Sequence, residues 1–325
     1  MTDLRVIGGE LLPPAAERRH LLSVADLTRD DVERLLATAH SFAISQERET
    51  KKLPTLRGRL VLNVFYESST RTSSSFELAA KRLSADTLTL KASGSSVDKG
   101  ESLKDTAQTL SAYDPDVIVL RHPEAGSPAF VARNVEARVV NAGDGKHQHP
   151  TQALLDLYTM KEAFGRLEGL HVAIVGDVMH SRVARSLVQA LELVGADATL
   201  IGPPALLPAG LAPTSYEIAD IANADVVYVL RMQRERISTG ANFVPSLREY
   251  TSSWGVTPER VREGQRVMHP GPMNRGIEID ARVADSDASL VVDQVRAGLV
   301  VRMAVLYDLM TAGRPVAVDA TVGVA

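Results

Sequence analysis

Eight short apolar runs punctuate the chain: RLVLNVF (59–65), DTLTL (86–90), DVIVL (116–120), RVVNA (138–142), HVAIVG (171–176), ATLIG (198–202), DVVYVL (225–230) and RVMHP (266–270). Each has the length of a strand, and a polar or Gly/Pro turn follows it. Most then lead into apolar residues at helical spacing, as in SSFELAAKRL, SLKDTAQTLSAY, TQALLDLYTMKEAF and SRVARSLVQALELV. Strands alternating with helices predict βαβ units and mainly parallel sheets. Runs that are apolar throughout fit strands covered on both faces.

The helical stretch TQALLDLYTMKEAFGRLEG falls between two sets of four strands. The pattern therefore predicts an α/β fold of two doubly wound domains joined by long helices, residues 1–150 and 151–292, with a cleft between them. The last helical pattern, ASLVVDQVRAGLVVRMAVLYDLM (288–310), is apolar over a broad face. It is expected to pack back on the first domain as a helix over 293–311. Residues 312–325 carry no helical pattern and are expected to be loose.

Composition narrows the function without naming it. The 325 residues are 45% hydrophobic and 23% charged, as in an ordinary globular protein. A net charge of −4 offers no basic excess for nucleic acid. The absence of cysteine excludes disulfides, thiolate zinc sites and thiol nucleophiles. The N-terminal MTDLRVIGGELLPPAAERRHLL lacks the uninterrupted apolar core of a signal peptide. No run approaches the roughly 18 apolar residues of a membrane helix. The expectation is a cytoplasmic protein.

Chemistry gathers at the strand ends, where open parallel sheets bind ligands. FYESSTRTSSSFE (65–77) sets Ser69, Thr70, Arg71 and Thr72 between a strand and the start of a helix. Free N–H groups at a helix N-terminus attract anions, hydroxyls add donors, and an arginine fork suits phosphate oxygens. The stretch reads equally as a Ser-rich helix cap with a solvated arginine. Further strand ends present Arg121 and His122, His149 and Gln152, Arg182, then Arg231 and Gln233; the Gly/Ser loop GSSVDKGESLKD carries Lys99. Alone, each of these is an ordinary surface or capping residue. Their shared placement at strand ends is what separate accidents do not predict. After HVAIVG come Asp177 and Val178, so the dinucleotide-binding glycine fingerprint is absent.

With STRT (69–72), HPTQ (149–152), the Lys99-Gly100-Glu101 loop, Arg231-Met232-Gln233 and His269-Pro270-Gly271-Pro272, the chain resembles the carbamoyltransferase family over nearly its whole length. It is most similar to the aspartate-specific branch. The resemblance implies transfer of a carbamoyl group from carbamoyl phosphate to the α-amine of L-aspartate, the committed step toward pyrimidines, with no cofactor and no metal. Ser69, Thr70, Arg71 and Thr72 would hold the phosphate. Thr72, Arg121 and His149 would face the carbamoyl oxygen, and Gln152 the carbamoyl amide. Ser95 and Lys99 would reach into a neighbouring subunit's site, which makes a homotrimer with shared active sites the minimal unit. Arg182, Arg231 and Gln233 would bind the aspartate carboxylates, with Lys99 assisting. The carbonyls of Pro270 and Gly271 would meet the amine or the carbamoyl amide. Glu67 and Arg236 would brace the closed domains.

An ornithine-specific relative would need an acid for its substrate's cation and a Cys-containing turn, where this chain has HPGP and two arginines. A non-catalytic scaffold subunit would have lost site residues, and none of those named is missing. The resemblance assigns no role to His147. Dihydroorotase or a regulatory chain are the partners it suggests beyond the trimer.

Overall fold

The computed structural model describes residues 5–7, 10–12, 20–91, 101–232 and 246–311. A short antiparallel pair, β1 (Arg5–Ile7) and β2 (Glu10–Leu12), precedes the main body. The first sheet contains β3 (Leu60–Phe65), β4 (Asp86–Lys91), β5 (Val117–His122) and β6 (Arg138–Asp144) in the spatial order β4-β3-β5-β6. The second contains β7 (His171–Val175), β8 (Asp197–Ile201), β9 (Thr214–Ser215), β10 (Val226–Val229) and β11 (Arg266–Met268) in the order β11-β10-β7-β8-β9. All pairings in both sheets are parallel. The eight apolar runs thus form eight strands, arranged as two α/β units. The two-residue β9 is an edge strand too short to leave a hydrophobic signal.

Both sheets reverse direction in the middle. In the first, β3 leads outward to β4 on one side and the chain then returns to β5 on the other. In the second, β7 leads to β8 and the chain returns to β10. Loops diverge at such switch points and leave a crevice beyond the carboxyl ends of the strands.

Helices cover the sheets. α1 (Arg29–Gln46) opens on a capping box, in which the Thr28 hydroxyl accepts from the Asp31 N–H and Asp31 accepts from the Thr28 N–H. α2 (Thr70–Arg82) follows β3, α3 (Leu103–Ser111) follows β4, α4 (Ser127–Ala132) follows β5, and α5 (Pro150–Phe164) follows β6. α5 starts with proline, whose missing N–H costs nothing in the first turn, and ends at Gly165 with φ +72°, a left-handed C-cap. α6 (Arg182–Leu193) follows β7, capped by the Ser181 hydroxyl on the Ala184 N–H. After α7 (Leu247–Trp254) and α8 (Ala281–Ala284) comes α9 (Val291–Thr311), which is buried on nearly every side from Ala297 onward, as its mostly apolar sequence there requires. It packs on α1, α2 and α5. One continuous apolar core therefore runs through α1, α2, α5, α6 and α9 and reaches both sheets.

Candidate active site

The carboxyl ends of the two sheets face each other across a cleft of about 560 Å³. From the β3–α2 turn, Glu67, Ser69, Thr70, Arg71 and Thr72 line it, and from the end of β5, Arg121. β3 and β5 are the pair that flank the switch point, with Phe65 registered against Arg121. His149 and Gln152 enter from the start of α5. The second unit supplies Arg182 after β7 and Arg231 after β10, again either side of a switch point, and Pro270 and Gly271 after β11. Ser68, Ser181, Val183, Leu230 and Pro272 also line the cleft. Ser68 and Pro272 belong to stretches the sequence had flagged, without a role of their own; Ser181, Val183 and Leu230 were not flagged for the site, and each is a chain neighbour of Arg182 or Arg231. Ser95, Lys99, Gln233 and Arg236 lie outside the described residues. His147 is half exposed, beside Asp144 at 3.0 Å, and is not part of the cleft lining.

Ser69 occupies the N-cap position of α2 in an extended conformation, but its side chain makes no capping hydrogen bond. Its hydroxyl and the first N–H groups of α2 therefore face the cleft together as donors. Arg71, two residues on, is exposed to the open cleft, and partial desolvation lowers its pKa below the usual guanidinium value. Its guanidinium lies against Gly271, where an added Cβ would collide with it. Gly271 also has φ +62°, a conformation that glycine adopts without strain. The glycine in HPGP thus gives more than backbone freedom: it clears the space that Arg71 fills.

Glu67 ties the two sides together. Its Oε2 accepts from Arg121 Nε at 3.2 Å and from Arg182 Nη2 at 2.7 Å. Arg182 is buried and donates its other terminal nitrogen to the Gly145 carbonyl at 3.1 Å. A second tie runs from the His149 N–H to Ser186 Oγ at 2.8 Å, with the Ser186 hydroxyl donating to Gln148. Each links residues before or within the first unit's crevice to α6.

His149 sits under this cationic rim. Burial, then the charges of Arg121, Arg182 and Arg302, pushes its pKa well below the ordinary histidine value. The imidazole is therefore neutral at neutral pH. Its Nδ1 is buried and has no hydrogen-bond partner among the described residues. His269 is also held neutral, mainly by burial, although the neighbouring Glu278 opposes the shift. Its Nδ1 accepts from the Gly271 N–H at 2.7 Å, which places the ring proton on Nε2 facing Glu278. No cluster of three or more His, Cys, Asp or Glu that could hold a metal ion occurs among the described residues.

Chemically, the cleft combines a helix-terminus anion site, further arginines that reach in from both units, and a neutral imidazole with an uncommitted nitrogen. Such a set can bind two anionic groups and stabilise negative charge that develops between them.

Residues 19–162 match the family described as aspartate/ornithine carbamoyltransferase, carbamoyl-P binding domain. Residues 168–309 match the aspartate/ornithine carbamoyltransferase Asp/Orn binding domain. The chain is 56% identical over 303 residues to the aspartate carbamoyltransferase catalytic subunit of Salinispora arenicola, covering 90% of this chain and 98% of that one. It is 54% identical over 305 residues to that of Acidothermus cellulolyticus, covering 91% and 94%. Among solved structures, aspartate transcarbamoylase from Trypanosoma cruzi in complex with carbamoyl phosphate and aspartate superposes with a TM-score of 0.83 at 29% identity, covering 92% of this chain and 99% of that one. The catalytic subunit of M. jannaschii aspartate transcarbamoylase gives a TM-score of 0.80 at 35% identity, covering 91% and 99%.

Proposed function

The chain belongs to the aspartate/ornithine carbamoyltransferase family, and from that premise we propose how its residues transfer the carbamoyl group of carbamoyl phosphate to the α-amine of L-aspartate, giving N-carbamoyl-L-aspartate and phosphate. The observation that carries the reading is the meeting of two switch-point crevices in one cleft, a hydroxyl-rich helix start on one side and Arg182 and Arg231 on the other. The phosphate of the donor takes Ser69, Thr70, Arg71 and Thr72. The carbamoyl oxygen takes Arg121, Thr72 and His149, and the carbamoyl amide takes Gln152 and the carbonyls of Pro270 and Gly271. The carboxylates of aspartate take Arg182, Arg231 and Gln233.

The amine attacks the carbamoyl carbon directly, so no side-chain nucleophile is required. Negative charge then grows on the carbamoyl oxygen, and each preorganised donor there lowers the barrier by about 2.7–4 kcal/mol. A neutral His149 can donate to that oxygen through Nδ1–H, the atom that has no other partner among the described residues. As the C–O bond to phosphate breaks, charge moves to the leaving group, where Arg71 and Lys99 act. Holding both substrates between the two units contributes on the order of 7–11 kcal/mol through positioning. The departing phosphate is the candidate acceptor for the ammonium proton of aspartate. The product belongs to de novo pyrimidine (UMP) synthesis in the cytoplasm. Among the described residues, no helix is long and apolar enough to cross a membrane. We further place the carbamoyl-phosphate domain at residues 1–150, the aspartate domain at 151–292, and the helix 293–311 back on the first.

The test of the reaction is ureido product from carbamoyl phosphate with the purified chain alone, L-aspartate and L-ornithine in parallel. Product with aspartate only is expected, because two arginines suit a dicarboxylate; product with ornithine would overturn the assignment of Arg182 and Arg231. Shared sites in a homotrimer are tested by mixing. Arg71→Ala and Lys99→Ala are each nearly inactive alone, and mixed trimers recover activity because some sites receive both intact groups. No recovery after verified subunit exchange refutes shared sites.

A further inference from the structure

Below the cleft, one carboxyl group collects hydrogen bonds from three elements. Asp156, in the middle of α5, is fully buried. Its Oδ1 accepts from Gln152 Nε2 at 3.0 Å and from Gln294 Nε2, on α9, at 2.7 Å. Its Oδ2 accepts from the hydroxyl of Tyr228, on β10, at 2.7 Å. Gln294 continues the chain: its Oε1 accepts from the His269 N–H at 2.9 Å. His269 opens the turn that carries Pro270 and Gly271 into the cleft, and its ring accepts from the Gly271 N–H.

The orientation of each amide follows from these partners. A backbone N–H can only donate, so Gln294 presents its oxygen to His269 and its nitrogen to Asp156. Oδ1 of Asp156 is therefore an acceptor, and Gln152 must also meet it with its nitrogen. The end of Gln152 left for the cleft is the acceptor oxygen. Resting on the proposed roles of Gln152 and the Pro270–Gly271 turn, we infer that Asp156 is a specificity-determining positioning residue. Its single oxygen aligns both acceptors that read the NH₂ of the donor, one from each side of the cleft. An acyl phosphate with methyl in place of NH₂, such as acetyl phosphate, leaves both acceptors unpaired and is discriminated against on that ground. Nothing about Asp156 touches the substrate; it acts through Gln152 and Gln294.

The experiment is the ratio of kcat/KM for carbamoyl phosphate to that for acetyl phosphate, both at saturating aspartate, with N-carbamoyl- and N-acetylaspartate measured by mass spectrometry. Asp156→Ala is expected to lower the ratio about tenfold or more, since the two acceptors lose their common anchor. Asp156→Asn keeps an oxygen that can accept from both glutamines and is expected to retain the ratio within about threefold. Gln294→Met, similar in size and cutting only the branch to His269, is expected to lower it severalfold. A residue that merely stabilised the fold would depress both donors in proportion. Proportional loss in Asp156→Ala overturns the inference. Should Asp156→Ala not fold, an unchanged ratio in Gln294→Met overturns it. If the parent enzyme itself shows no preference for carbamoyl over acetyl phosphate, the assigned roles of Gln152 and the turn fail first. A parent that does prefer carbamoyl phosphate, with variants that keep the preference, isolates the failure to Asp156.

Discussion

Replacing Glu67 by glutamine isolates the charge that spans the cleft. Glu67 Oε2 is 2.7 Å from Arg182 Nη2 and 3.2 Å from Arg121 Nε. The Glu67 side chain is 23% exposed and that of Arg182 6%, so the contacts are screened only in part. A hydrogen bond to a charged partner contributes about 1.5–3 kcal/mol, and a neutral one about 0.5–1.5. Glutamine keeps the shape and one acceptor oxygen, so each contact weakens by roughly 1–1.5 kcal/mol. Allowing for residual solvent screening, the pair sums to about 2 kcal/mol. If that energy holds the two rims of the cleft in register, kcat/KM for aspartate falls about 30-fold. The melting temperature should fall by only a few degrees, because the chain is large and Arg182 retains its bond to the Gly145 carbonyl. The assay is steady-state kinetics with aspartate varied at saturating carbamoyl phosphate, beside a melting curve. A folded Glu67→Gln enzyme within threefold of the parent would mean that the contact orders the unliganded cleft and does no more.

Gly271→Ala should weaken carbamoyl phosphate binding, because φ is +62° there and the new Cβ displaces the Arg71 guanidinium; calorimetric titration with carbamoyl phosphate shows this, and unchanged affinity refutes it. Stability should fall as pH drops from about 6.5 to 5. Burial lowers the pKa of His149, His269 and His122 from the usual 6.5, so below that pH the unfolded chain binds protons that the folded chain does not. Asp156, raised from 3.8 to about 7, runs the other way, gaining folded-state stability as it protonates, but it is one group against three. A melting temperature that stays flat or rises between pH 6.5 and 5 refutes the sign.

Most strands were legible because their runs are apolar on both faces, the partly exposed edge strand β4 with its Thr/Leu alternation apart, and the site was legible because strand ends in such sheets are where ligand groups project. What the pattern of apolar runs hid has specific causes. α1 follows no strand of either main sheet, so alternation of strands and helices did not flag it, although Thr28 and Asp31 spell its capping box. Ser69 stands at a helix start, and sequence alone cannot separate a capping hydroxyl from one left for a ligand; the absence of a cap bond makes that distinction. Asp156 sits in ALLDLYTM, where every other residue but a threonine and a tyrosine is apolar. A carboxylate in such a helix has to find partners, and that was the available signal. The partners themselves, Tyr228 and Gln294, are 72 and 138 residues away, beyond the reach of any local pattern.

The two acids of the site show how one chemical group serves opposite ends. Glu67 lies at the rim, where water reaches it, and its charge offsets two arginines that would otherwise repel each other before an anion arrives. Arg182 loses nothing by this, since a guanidinium has five N–H donors and Glu67 and Gly145 engage one nitrogen each. The remaining donors stay available for a carboxylate. Asp156 lies where no water reaches, and desolvation dominates its pKa despite three donors and the nearby charge of Arg302. Arg302 is itself fully desolvated, its pKa lowered to about 10, and stacks 5.1 Å over the ring of Phe76. A carboxyl so placed gains little by being charged. Its value lies in two lone pairs on one oxygen, which lock two amides in fixed orientations. Charge at the rim therefore sets how the halves approach, and an acceptor in the core sets what they can read once together.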